Sequence, residues 1–199
     1  MPPVTTTRKA PANTAKRILD AAERTVQESG YNGFSYADLA AELGITKPSL
    51  HHHFATKATL GLALIERYCD TFSVALERID ASSGDPSARL EAYAALYAAV
   101  LAGKRICLCG MLAAEYATLP RAMKDGVRRF FDLNETWVAR QIDRGRGAGL
   151  FHARGSANEC ARMLIGGLEG AMLLARPYND VGRFEGAARQ LLSGLRVDH

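Results

Sequence analysis

From Thr14 onward, apolar residues return at three- and four-residue spacing between breaks made of glycine or proline, and this rhythm restricts the chain to packed helices. Ala15, Ile18, Leu19, Ala22 and Val26 form the first run, with Thr14 as its expected N-cap and Gly30 as its end. Ser35 opens a second helix, and Asp38 three residues on makes a capping box in which Glu would serve better. Leu39, Ala40 and Leu43 are its apolar face and Gly44 its stop. Thr46 caps a third, short helix with Pro48 in its first turn, where a missing N–H costs nothing. It ends near Phe54, and Thr56 caps a fourth. Residues 14–55 therefore predict one longer helix and two short ones joined by a tight glycine turn, with no strand pattern.

The remainder also reads as helix. The fourth runs from Thr56 to about Ala81, and the break SSGDPS hands over to a helix starting at Pro86, with Leu90, Tyr93, Ala94, Tyr97 and Leu101 as its stripe. Gly103 and Lys104 end it. Residues 105–118 are apolar with small side chains, and Leu119-Pro120 marks a boundary. The segment from Ala122 to about Gly145 is amphipathic, with Val127, Phe130, Phe131, Leu133, Trp137, Val138 and Ile142 inward. After GRGAG, a strongly apolar helix runs from Ser156 to about Ala175 and a last one from Asp180 to about Leu195. The expected fold is all-α with about nine helices. Residues 1–13, with three prolines and three threonines beside Arg8 and Lys9, read as a flexible arm.

Length and composition bound the function. At 199 residues and 48% hydrophobic, the chain can bury a sizeable core. A net charge of +4 permits a nucleic-acid partner without demanding one. The basic start has no apolar stretch behind it, so no secretion signal is read. The most apolar segment, Ala161 to Ala175, is interrupted by Arg162 and Glu169, which argues against a membrane span. A cytoplasmic protein is expected, with Cys69, Cys107, Cys109 and Cys160 reduced.

Function concentrates in Gly44 to Lys57, GITKPSLHHHFATK. Two short helices crossing at a glycine turn can place the second in the major groove. That helix begins with Thr46, Lys47 and Ser49, near backbone N–H groups that favour phosphate. Leu50 and Phe54, four apart, anchor it inward, and His51 to His53 and Lys57 follow. Each part also has a plainer reading: a glycine turn occurs in many all-α proteins, and a surface histidine is commonly just solvated. Three consecutive histidines cannot all face one ion on a helix, so no metal site is read here.

The stretch from about Thr14 to Leu60 resembles the DNA-binding domain of the TetR family of bacterial repressors. The resembling features are Gly30-Tyr31, Ser35 capping the helix that contains Asp38 to Gly44, and His52 or His53 before Phe54 with Lys57 beyond. The resemblance implies that Thr46, Lys47, Pro48, Ser49, His51 and His52 face double-stranded DNA and that Tyr36 and Lys57 hold phosphates. The family usually has tyrosine where this chain has His51, which puts the operator preference and its pH dependence in question. It further implies a helix-turn-helix DNA-binding domain over residues 14–60, an effector-binding and dimerisation domain over 61–199, and a homodimer on a palindromic operator, with residues 156–196 forming a four-helix bundle between copies. LIGGLEGAMLLA carries Gly166, Gly167 and Gly170, which suit close helix approach. The plainer alternative is that these helices only close the monomer core.

By the same resemblance, residues 64–178 enclose a pocket for a small-molecule effector. Its candidate lining is Tyr68, Tyr93, Tyr97, Met111, Glu115, Phe130, Trp137 and Met163, with core packing as an equal alternative for each. ICLCGMLAAEYATLP resembles a branch in which a cysteine near the start of this helix responds to electrophiles or oxidants. Cys107 is the nearest match and Cys109 the alternate, with Arg105, Lys104 or a helix N-terminus available to lower a thiol pKa. Two inert buried thiols are the competing reading. Neither a cofactor nor a catalytic grouping is expected, since no paired carboxylates, Ser/His/Asp set or metal spacing occurs. A helical enzyme and a dimeric protein adaptor stay open as alternatives.

Overall fold

The computed structural model describes residues 11–152 and 154–196. Among these residues it contains nine α-helices and no strand beyond an isolated bridge between Phe151 and Arg196. The helices are α1 (Pro11–Ser29), α2 (Tyr36–Leu43), α3 (Lys47–His53), α4 (Lys57–Ser82), α5 (Pro86–Ala102), α6 (Leu108–Ala114), α7 (Arg121–Gly147), α8 (Ala157–Ala175) and α9 (Val181–Ser193). Short 3₁₀ turns follow α6 and α8, at Tyr116–Thr118 and Arg176–Tyr178.

Most boundaries follow from capping chemistry. The Ser35 side chain accepts from the amides of Ala37 and Asp38, and the Asp38 carboxylate accepts from the Ser35 amide at 2.8 Å. Gly44 ends α2 in the left-handed region at φ 63°, returning its N–H to Ala40 and Ala41. Thr46, Asp85 and Asp180 cap α3, α5 and α9. Reciprocal boxes at Thr56/Thr59 and Ser156/Glu159 open α4 and α8. The N-terminal expectation is corrected. Thr14 lies inside α1, which already includes residues 11–13, so Thr14 is not the cap. Proline tolerates a first helical turn because its missing N–H has no partner there anyway. The rest of the expected arm, Arg8 and Lys9 included, lies outside the described residues.

The core has two ends. In the N-terminal one, α1 packs on α2 and α4, burying Ile18, Ala22, Val26, Leu39, Leu50 and Leu60. The second is formed by α4, α5, α7, α8 and α9 and is rich in rings. Phe72 meets Phe130 edge-on at 5.1 Å, Tyr93 stacks on Trp137 at 5.5 Å, and Tyr97 stacks on Phe184 at 6.5 Å. Asp80 pins the far end of α4, accepting from Trp137 Nε1 at 3.1 Å and Arg140 at 3.0 Å.

The two ends of the core join along α1, α4 and α6. Arg67 of α4 bridges Asp20 and Glu23 of α1, both at 2.6 Å. The Ile106 amide donates to Gln27 O, and Arg176 donates to Glu28 O.

Candidate functional site

Helix α3 turns one face outward. Leu50 is fully buried, so the groups opposite it must face solvent; Thr46, Lys47, Pro48, His51 and His52 are exposed and Ser49 is half-buried. The Thr46 hydroxyl accepts from the Ser49 amide at 3.3 Å, which fixes the start of the helix. His51 Nδ1 lies 3.0 Å from Ala55 O, and its ring sits 4.8 Å from that of Tyr36. The Tyr36 hydroxyl donates to Phe54 O at 2.9 Å. Burial and nearby Tyr31 push the Tyr36 phenol up to about 12, so it stays a neutral donor.

Lys57 differs from its expected role. Its ammonium turns inward, donating to Phe34 O at 2.5 Å and lying 4.6 Å and 4.4 Å from the ring centroids of Tyr31 and Phe34. Burial pushes its pKa down, with Glu115 and Asp38 opposing. In this arrangement it pins the turn between α1 and α2 rather than standing free for a phosphate.

The predicted pocket residues separate into groups. Tyr68, Tyr93, Tyr97, Phe130 and Trp137 pack ring against ring, with Tyr93 Oη 3.0 Å from both Tyr97 Oη and Asn134 Oδ1. They belong to the aromatic core, and the outer edge of Trp137 also lines an open cleft of about 520 Å³ with Asp80 and Arg140. Met163 is corrected: it is more than half exposed on the outer side of α8. Glu115 is also displaced from the expected lining. It caps the end of α6 and accepts from the Tyr31 amide at 2.6 Å and the Asn32 amide at 3.3 Å. Gly30 permits this approach, since it sits at φ 84° and a Cβ there would lie 2.5 Å from Glu115 Oε1.

Cys107 and Cys109 are buried, and their thiols are pushed well above the ordinary range by desolvation first and by Glu169 among the nearby groups. Lowering by Arg105, Lys104 or a helix terminus is therefore not what the structure gives; the thiols are held protonated. Cys107 instead serves as the N-cap of α6, accepting from the Gly110 amide at 3.4 Å.

Sequence reasoning passed over Glu169, reading it only as a break in an apolar run. It lines a cavity of about 220 Å³ between α6 and α8, together with Met111. Its carboxyl is raised to about 7 by burial, partly offset by a hydrogen bond from Cys107. The available signal was its isolation as the one acid in the most apolar segment of the chain. Among the described residues no group of side chains is arranged to hold a metal ion.

Two family models match the chain. That of bacterial regulatory proteins of the tetR family covers residues 18–64, and that of the tetracyclin repressor-like C-terminal domain covers residues 86–191. The transcriptional regulator AcuR of Cereibacter sphaeroides is 31% identical over 170 residues, spanning 80% of this chain and 74% of its own. The chain belongs to the TetR family of transcriptional regulators.

Solved structures share this fold over most of the chain. A TetR-family regulator from Agrobacterium tumefaciens superposes with a TM-score of 0.91 at 30% identity, covering 94% of this chain and all of its own. One from Legionella pneumophila gives 0.84 at 29%, covering 92% and 98%. The regulator is thus a DNA-binding protein by family, with α1–α3 as its helix-turn-helix unit and a helical C-terminal domain of the ligand-binding type. No helix among its described residues is long and apolar enough to cross a membrane.

Proposed function

We propose that this regulator works in the cytoplasm as a homodimeric repressor, reading a palindromic operator and leaving it when a small molecule binds the C-terminal domain. The observation carrying this is the outward face of α3, where Thr46, Lys47, Pro48, His51 and His52 are presented on a helix whose Leu50 is locked in the core. Ser49 joins that face, with Tyr36 beside it. Lys57 reaches a phosphate only by leaving Phe34 O.

Dimerisation draws support from α8. Met163, Leu173 and Leu174 are each more than half exposed, as is Tyr178 just beyond, and beyond the adjoining residues and the helix's own backbone nothing lies within 4 Å of the positions that a Cβ would take on Gly166 or Gly170. Apolar surface left bare on a helix with small residues suits a second copy. Two reading heads one helical turn apart then match two half-sites. Effector release is carried by the contacts between α6 and the end of α1, because a ligand that displaces α6 also displaces the Tyr31 amide. A covalent adduct at Cys107 is the narrower alternative; its buried, protonated thiol favours non-covalent binding.

Selection of binding sites from random duplex DNA at moderate salt tests the proposal. A two-fold symmetric sequence is expected. Lys47→Ala and Ser49→Ala should each weaken it by about 1–3 kcal/mol while leaving the dimer intact. Normal operator binding by both variants, or no enriched sequence from a folded dimer, overturns the assignment.

A further inference from the structure

The cavity between α6 and α8 differs in kind from the aromatic core beside it. Phe131, Met111, Met172 and Leu173 give it apolar walls, and Glu169 is the sole charged residue among the described residues that line it. Glu169 Oε1 is buried and has no hydrogen-bond partner. Its Oε2 lies over the α6 backbone at Gly110, so close that a Cβ there would be 2.2 Å away. The carboxyl thus lies against a glycine, with the Cys107 thiol as its hydrogen-bonding neighbour and Oε1 without a partner. A buried polar atom without a partner is costly, and its persistence calls for a reason such as a missing ligand.

The surroundings define what could complete it. Cys107 at the start of α6, Cys109 within it, and Tyr68, Tyr93 and Tyr97 from α4 and α5 all interact with Glu169 or sense its charge. All five are pushed upward and so are uncharged near neutrality. No basic side chain lines the cavity among the described residues, so an anionic guest would find no counter-charge. A neutral hydroxyl would satisfy Oε1 but would gain nothing from the carboxylate charge. An ammonium group does both, and aromatic and thioether walls suit an organic cation. The volume lies below the roughly 300–1,000 Å³ of drug-sized pockets, so the guest must be compact.

We propose that Glu169 is the polar anchor of an effector site for a compact organic ammonium ion, whose N–H donates to Oε1 while its apolar body rests against Phe131, Met111 and Met172. This rests on the reading that the C-terminal domain receives an effector. Near neutral pH part of the Glu169 population holds a proton, and the incoming cation displaces it to solvent. The same event loads α6, whose C-terminal end at Glu115 grips the Tyr31 amide.

Titration calorimetry of the full chain near neutral pH tests the site, with benzylamine as probe and benzyl alcohol and benzoate as near-isosteres. Benzylamine should bind at least about tenfold more tightly than either. Repeating the titration in buffers of different ionisation enthalpy should reveal proton release. Glu169→Gln should abolish both the preference and the release. Ala114→Phe, at the exposed rim of the cavity, keeps the carboxyl and should lower benzylamine affinity at least about tenfold. Tighter binding of benzoate, equal binding of the alcohol, unchanged affinity in Glu169→Gln, or no benzylamine binding at millimolar concentration each overturns the proposal. Operator selection separates the two readings: specific DNA binding without amine binding removes only this site, and amine binding without any operator removes only the repressor assignment.

Discussion

Helix α6 has an acid on each side, and the two are treated in opposite ways. Glu115, at its C-terminal end, is half-buried and accepts from two backbone amides of the turn after α1. Glu169, across from its first turn, has a buried oxygen that nothing meets. The first junction is complete without help, while the second is complete only when something enters. That asymmetry separates a carboxylate that builds the molecule from one able to receive a guest. It also places the two at opposite ends of a seven-residue helix, short enough to move as a unit.

The largest effect that would break this contrast is expected at Glu115. Glu115→Ala leaves the Tyr31 and Asn32 amides unpaired and should destabilise the protein by about 2–3 kcal/mol, read as a lower Tm. A neutral result would mean that the junction is ornamental. Glu169→Gln should move the other way. Because the folded Glu169 pKa stands near 7 against an ordinary 4.5, its burial penalty is absent below the lower value and complete above the higher. The variant should thus equal the wild type at acid pH and gain at most about 3 kcal/mol at alkaline pH. A difference that is flat with pH would contradict a carboxyl desolvated by burial. Gly30→Ala presses a Cβ onto Glu115 in a left-handed backbone and should cost about 1–2 kcal/mol by denaturant titration. The smallest effect is expected at Lys57. Lys57→Ala should lower stability by up to about 1 kcal/mol, given its contact with two rings, without changing the salt dependence of operator binding. A salt slope reduced by about one would return Lys57 to the phosphates.

The fold was legible because its instructions are local. Ser35, Gly44, Thr46 and Thr56 act within four residues of themselves, so the helix-turn-helix could be read from spacing alone. The start of α1 was not, because Pro11 suits a loop and a first helical turn equally well. Site residues were harder. Periodicity says which way Tyr93 or Phe130 points, but not whether space remains in front of it; here other rings fill that space. Met163 misled because α8 is apolar on more than one side, and the sequence does not say which side the monomer uses. Glu115 and Glu169 look alike on paper, each a lone acid among small apolar neighbours. What distinguishes them is a backbone amide 84 residues away from Glu115.

Leu173 lines the cavity and is also part of the bare apolar strip on α8. Whatever covers that strip also shuts one wall of the cavity. With a second copy in place, a guest would leave no faster than the two copies part or breathe. Its residence would then be governed by an opening rate rather than by its own affinity. A regulator built so would respond to a brief pulse and go on responding after the pulse has passed, keeping a short record of recent exposure in the time its door stays closed.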